Sequence, residues 1–172
     1  MSRVRNISRV ASRVAAALAF ATVSVPVADA SPRYFGTVAG AWSGSGEIVA
    51  GTYKGTRFNC RLKGTQSARQ AIDIRGTCRV GLFSQKISAT VRKRGRSYRG
   101  SFLDGARGKG MDITAGRLHR NKLTVSINRK QLNGAMVANL TGRNDLRISI
   151  SVWAGSDYVP VIGLQLKRDR RG

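Results

Sequence analysis

The chain has 172 residues, with 31 Lys and Arg against 8 Asp and Glu, and a formal net charge of +23. A hydrophobic content of 41% excludes a disordered polycation, because that content is enough to close one core. The single His, two Cys and eight carboxylates exclude most metal centres and acid–base dyads. The length fits one ordinary domain after an N-terminal segment.

Residues 1–30 have the pattern of a secretory signal peptide. Four Arg precede the apolar run VAAALAFATVSVPV, and Ala28-Asp29-Ala30 places small residues where a signal peptidase reads. The run is too short for a membrane span, although an uncleaved anchor and a buried helix are the alternatives. We therefore expect a mature chain that begins near Ser31 and is exported to the periplasm or out of the cell.

The positive charge belongs to the mature part of the chain. Residues 31–172 carry 27 Lys and Arg against 7 Asp and Glu, a net charge of +20, and Arg outnumbers Lys by 19 to 8. Such a charge favours contact with anionic surfaces, and Arg matches phosphate oxygens bidentately.

Apolar and polar residues alternate along most of the mature chain, which is typical of half-buried strands. The alternation is clear in 57–63 and 70–80, and it recurs in 87–91, 111–115, 123–127, 146–152 and 162–166. Turn residues follow at short intervals, and no segment after residue 31 has a sustained helical stripe. We predict one all-β domain over 31–172, an antiparallel meander barrel of about 8–10 strands, with a curled sandwich as the alternative. An outer-membrane barrel is excluded, because the outward face bears Arg and Lys and aromatic residues are only 6%.

The two cysteines, Cys60 and Cys78, both fall on the apolar face of their strands. An exported domain meets an oxidising environment, so we predict a disulfide between them. Closing a loop of about twenty residues is worth roughly 3 kcal/mol.

Gly40-Ala41-Trp42 resembles the Gly-x-Trp opening strand of lipocalin-like and avidin-like barrels, in which the Trp plugs one end. The stretches WSGSGEIVAGTYKGTRFNC, CRVGLFSQK and NRKQLNGAM resemble small exported alphaproteobacterial proteins of unknown function. That second resemblance implies export and a disulfide, and it brings no activity.

Enzyme signatures are absent from the sequence. There is no Gly-x-Ser-x-Gly elbow, and the loop Gly105–Gly110 lacks the spacing and the Ser/Thr of a phosphate-binding loop. His119 lies beside three cations in an expected hairpin tip, which favours a solvated turn residue over a general base. We expect a non-enzymatic protein with no cofactor and no metal.

A meander brings alternate connections to the same end of a barrel. This placement predicts an anion-binding basic rim, opposed by Asp145, that consists of Lys63, Arg69, Arg92, Lys93, Arg94, Arg96, Arg117, Arg120, Lys122 and Arg143. The opposite end would hold Lys54, Arg79, Arg107, Lys109, Arg129 and Lys130 with Asp104, Asp157 and the apolar connection Val80–Phe83.

Our leading hypothesis is peripheral binding of an anionic envelope component, either lipopolysaccharide or an anionic phospholipid. Trp153 and Tyr98 could add apolar contact, although Tyr98 fits a core position equally. The alternatives are a carrier of a small apolar ligand inside the barrel and a protein-binding module such as a protease inhibitor. Nucleic acid fits the charge but not the compartment, unless the protein leaves the cell.

Overall fold

A computed structural model describes residues 30–103 and 111–170. One helix, α1 (Ala30–Val38), precedes ten strands. The strands are β1 (Gly40–Ile48), β2 (Arg57–Ala68), β3 (Ala71–Val80), β4 (Phe83–Arg94), β5 (Ser97–Leu103), β6 (Met111–His119), β7 (Lys122–Arg129), β8 (Leu132–Thr141), β9 (Asp145–Ala154) and β10 (Asp157–Arg168). Among these residues, no helix is both long and apolar enough to cross a membrane.

The ten strands form a closed antiparallel barrel in which each strand pairs with its neighbours in sequence. The seam joins β1 to β10, with a register that runs from Trp42 opposite Arg168 to Ile48 opposite Ile162. The prediction of an all-β meander barrel is confirmed, and closure rules out the curled sandwich. A closed sheet also has no exposed strand edge.

The predicted alternation places most of its apolar members inside the barrel, but Ala115 is exposed because a register shift between Ile113 and Ala115 breaks the phase of β6. Ile72, Val125 and Ile127 are no more than 2% exposed, whereas their strand neighbours Arg75 and Thr124 are exposed. Glycine is required on the inner face at Gly44, since a Cβ there would collide with the backbone of Gln165 across the seam.

Helix α1 was not predicted, and the expectation of no helix after residue 31 is wrong. Three of its residues, Tyr34, Phe35 and Val38, are almost completely buried in one end of the barrel. The Phe35 ring meets the Tyr98 ring edge-to-face at 5.8 Å between centroids. A nine-residue helix is marginal by itself, so its stability comes from this packing, which a sequence pattern of three apolar residues does not reveal.

The disulfide between Cys60 and Cys78 is confirmed. The register places the two residues directly opposite each other on β2 and β3, and Cys60 is 1% exposed. Residues 1–29 lie outside the described residues, so the signal peptide and export remain predictions.

Candidate functional site

The two ends of the barrel differ in construction. We call the end with the turns 69–70, 95–96, 120–121 and 142–144 the closed end, because α1 packs into it. We call the other end, with the loop 49–56 and the turns 81–82, 130–131 and 155–156, the mouth. The ten strands separate these two ends, so that each end can carry different side chains and bind a different kind of partner.

Trp42 and Arg168 seal the closed end. The Trp42 side chain is 2% exposed, and its Nε1 donates to the Val38 carbonyl at 2.8 Å. The Arg168 guanidinium lies 4.4 Å from the centroid of the Trp42 ring. It also donates hydrogen bonds to the carbonyls of Thr37, Ala39 (2.8 Å) and Arg143 (3.0 Å). One side chain thus ties the helix, the seam and the turn between β8 and β9 together.

The role of Arg168 was not predicted from the sequence. The alternation along β10 did contain a signal for this role. Leu164 and Leu166 are its inward-facing residues, and Arg168 is the next residue in the same alternation. A cation in an inward phase requires partners inside the fold.

The barrel encloses a cavity of about 700 Å³. Its floor at the closed end is formed by Tyr34, Phe35 and Val38. It reaches solvent at the mouth, since Phe83 and Leu132 line it and are 81% and 44% exposed. This volume lies within the roughly 300–1,000 Å³ typical of small-molecule sites.

The cavity wall is apolar. No charged side chain is among the lining residues that the structure describes, and most of them are Ile, Leu, Val, Phe, Met or Ala. The Tyr34 hydroxyl on the floor donates to the Ala138 carbonyl at 2.9 Å. Burial raises the pKa of Tyr34, against a smaller lowering by a backbone hydrogen bond from Leu123, so the phenol is uncharged. A hydrocarbon ligand suits such a wall, and an ion does not.

The structure brings nine of the ten residues of the basic rim to the closed end, whereas Lys63, predicted in a connection, lies in the middle of β2 opposite Arg75. Of the ten, eight are exposed, and Arg92 and Lys93 are half-buried. The expectation that Asp145 alone opposes these cations is wrong, because Asp73 and Asp169 also lie at this end. Asp169 accepts a hydrogen bond from Ser43.

Asp73 binds one of the rim cations. Its Oδ1 accepts from the Thr90 hydroxyl at 2.9 Å and lies 3.4 Å from Nη2 of Arg92. Desolvation raises the pKa of Asp73, but hydrogen bonds from Ser67 and Thr90 and the charges of Arg92 and Arg75 outweigh it, so the pKa is lowered. The charge of Arg92 is therefore partly neutralised by Asp73, which makes Arg92 less suited to bind an external anion.

Other predicted positions divide between the two ends. Lys54, Arg79 and Lys130 are exposed at the mouth and Arg129 is half-buried there, whereas Asp104, Arg107, Lys109 and the loop Gly105–Gly110 lie outside the described residues. His119 is exposed at the end of β6. Over residues 30–103 and 111–170, no three His, Cys, Asp or Glu residues form a group that could hold a metal ion.

The two aromatic residues considered for the basic rim do not belong to its surface. Tyr98 is 4% exposed and packs in the core, which confirms the second of its two interpretations. Trp153 is 48% exposed, but it lies at the mouth, where its ring meets Tyr158 edge-to-face at 5.0 Å.

Comparison with known proteins gives the fold and no family. No protein-family model matches the chain, and no curated protein matches it. Among solved structures, Rv2717c from M. tuberculosis is similar with a TM-score of 0.57 and 11% sequence identity. The match covers 84% of this chain and 100% of that one. At this identity, the likeness establishes a shared barrel fold alone.

Proposed function

We propose that this protein binds one small apolar ligand, such as an acyl chain, inside the barrel and carries it in the compartment to which it is exported. The 700 Å³ apolar cavity that opens at the mouth carries this proposal. Binding would be driven by removal of hydrocarbon from water, at about 25 cal/mol per Å² of buried apolar surface. Because the wall has few polar groups, selection would depend on ligand size and shape more than on a head group.

The geometry favours this carrier over the anionic-component hypothesis that the charge suggested. A core filled with side chains would have removed the carrier alternative, whereas the barrel contains a cavity of about 700 Å³. A protein-binding role such as protease inhibition has no comparable support in the described residues. The absence of enzymatic activity stays a prediction.

The test uses the uncharged fluorophore N-phenyl-1-naphthylamine and its displacement by palmitate. Ala89→Trp places a large ring on the inner face of β4, where Ala89 lines the cavity. Lys86→Trp adds the same ring on the exposed outer face of the same strand and is the matched control. We expect wild type and Lys86→Trp to bind the fluorophore and Ala89→Trp to lose about tenfold or more in affinity, equivalent to about 1.4 kcal/mol.

Two results would contradict the proposal. One is a wild-type protein that binds neither the fluorophore nor palmitate. The other is an Ala89→Trp variant that keeps full affinity, with its fold verified by far-UV circular dichroism. That result would place the fluorophore on the outer surface.

The basic rim supports a second candidate function, the binding of lipopolysaccharide or an anionic phospholipid. The observation that favours it is the gathering of nine cations at one end of the barrel. The variant pair Arg94→Glu and Arg96→Glu tests it best, because both side chains are exposed, whereas Arg92→Glu would face Asp73. Coulombic binding to this rim should weaken steeply between low and physiological salt and should disappear in the variant. Unchanged binding of anionic vesicles would reject the rim.

A further inference from the structure

The exposed hydrophobic side chains are confined to one end of the molecule. Every large hydrophobic residue that is exposed within the described ranges lies at the mouth, and those with the largest exposed fractions include Tyr53, Leu82, Phe83, Trp153 and Tyr158. A contiguous apolar surface on a soluble domain marks an interaction site, whereas scattered single residues do not. The closed end presents cations instead.

The most exposed of these residues form the tip of the hairpin between β3 and β4. Val80 pairs with Phe83 across a two-residue turn, in which Gly81 has a φ of 54°. Leu82 is 100% exposed and Phe83 is 81% exposed. A fully exposed Leu contributes nothing to the core of the barrel, so its apolar surface is available to a partner.

Aromatic and cationic side chains lie at the same end of the barrel as this tip. Trp153 and Tyr158 form an edge-to-face pair beside the turn between β9 and β10, and Tyr53 is 71% exposed in the loop after β1. Aromatic residues with a polar tip favour the boundary between membrane and water. Lys54 and Arg79 are exposed at the same end and would meet anionic head groups.

We infer that the mouth docks onto the surface of a lipid bilayer, with Leu82 and Phe83 inserted among the acyl chains. The cavity then opens towards the membrane, and the basic rim points away from it. This inference goes beyond the proposed function, because the cavity can bind a ligand without docking and the mouth can dock without a ligand. A second copy of the chain is a poorer partner, since two highly positive surfaces would repel each other.

The experiment measures sedimentation with phosphatidylcholine vesicles and with vesicles that also contain phosphatidylglycerol, at low and at physiological salt. Leu82→Ser, the tip variant, removes the most exposed apolar side chain of the tip without a change of charge and leaves every residue that lines the cavity in place. Arg94→Ser with Arg96→Ser, in an exposed turn of the closed end, removes two charges and leaves the tip intact. All variants keep the same N-terminus, so residues 1–30 contribute equally to each measurement.

We expect the tip variant to bind anionic vesicles at least about tenfold more weakly at physiological salt, given about 1.5–3 kcal/mol for burial of one large apolar side chain. The rim variant should bind nearly as wild type does, because insertion of apolar side chains is not screened by salt. Brominated lipid should quench Trp153 and leave buried Trp42 unaffected, which a Trp153→Phe variant verifies.

Three outcomes would overturn the inference. In the first, the wild-type protein binds no vesicle. In the second, the rim variant loses vesicle binding and the tip variant keeps it. In the third, the only change in the tip variant is the loss of a dimer. Fluorophore binding in the cavity, measured without vesicles, shows whether the tip variant is folded. It also separates a failure of docking from a failure of the proposed function.

Discussion

Replacement of Arg168 by Ala should destabilise the protein more than any other single loss of surface charge at the closed end. The change removes three hydrogen bonds to backbone carbonyls and the stacking on Trp42. Because the side chain is half-buried, we take about 1 kcal/mol for each hydrogen bond and about 1 kcal/mol for the cation–π contact. The Arg168 side chain loses rotamer entropy when it is fixed in the fold, and its removal offsets the loss of stability by about 1 kcal/mol. The expected loss in the free energy of unfolding is therefore about 3 kcal/mol.

Equilibrium unfolding in urea, followed by far-UV circular dichroism, measures this loss. Lys167→Ala is the matched control, because Lys167 is the exposed neighbour on the outer face of β10, and it should change stability by less than about 0.5 kcal/mol. Arg168→Lys keeps the charge but not the planar fork, so it should recover less than half of the loss. A double-mutant cycle with Trp42→Phe isolates the coupling between the two side chains.

An Arg168→Ala variant whose stability matches that of Lys167→Ala would contradict this role of Arg168. Such a result would mean that water replaces the hydrogen bonds of Arg168 at no cost. The closure of the barrel would then depend on the burial of Trp42 and α1 alone.

Three further predictions concern stability. Replacement of both Cys60 and Cys78 by Ala should lower the free energy of unfolding by about 3 kcal/mol, and reduced wild type should match the variant in urea titrations. The lowered pKa of Asp73 stabilises the fold above the ordinary carboxyl pKa, and this contribution is lost as the pH falls through the folded-state pKa. Asp73→Asn should therefore be less stable than wild type at neutral pH, with a difference that shrinks below a pH of about 4; a constant difference across the pH range would contradict this. Tyr34→Phe removes the hydrogen bond to Ala138 and should cost about 1 kcal/mol in thermal or urea unfolding, whereas an unchanged midpoint would reject that role.

The barrel could be predicted because its information is local. Alternation over 57–63 or 146–152 fixes which side chains turn inward, and short turn segments fix which strands are neighbours. The pairing of Cys60 with Cys78 and the gathering of the basic rim follow from the same two rules. A meander needs no long-range information except at its seam.

The cavity and α1 could not be predicted, because neither depends on a local pattern. Inward side chains such as Ile74 and Met136 look the same in sequence whether they meet across the interior or leave a space. That outcome depends on the number of strands and on barrel diameter. Likewise, Tyr34 and Phe35 become a plug only after ten strands have created an opening of the right size. Hence the positive charge is visible in the sequence, whereas the cavity is not.

The seam between β1 and β10 governs the order in which the chain can assemble. The other nine strand pairs join neighbours in sequence and can form as local hairpins, but Trp42 must find Arg168 at the far end of the described chain. Such distant contacts are slow to form, because the loop entropy is lost before the contact stabilises anything. During synthesis β1 must therefore wait for β10, the last strand of the barrel, and a nascent chain lacking β10 would leave β1 with one unpaired edge. Folding speed should accordingly be most sensitive to changes at the seam, and least to changes in the mouth hairpins.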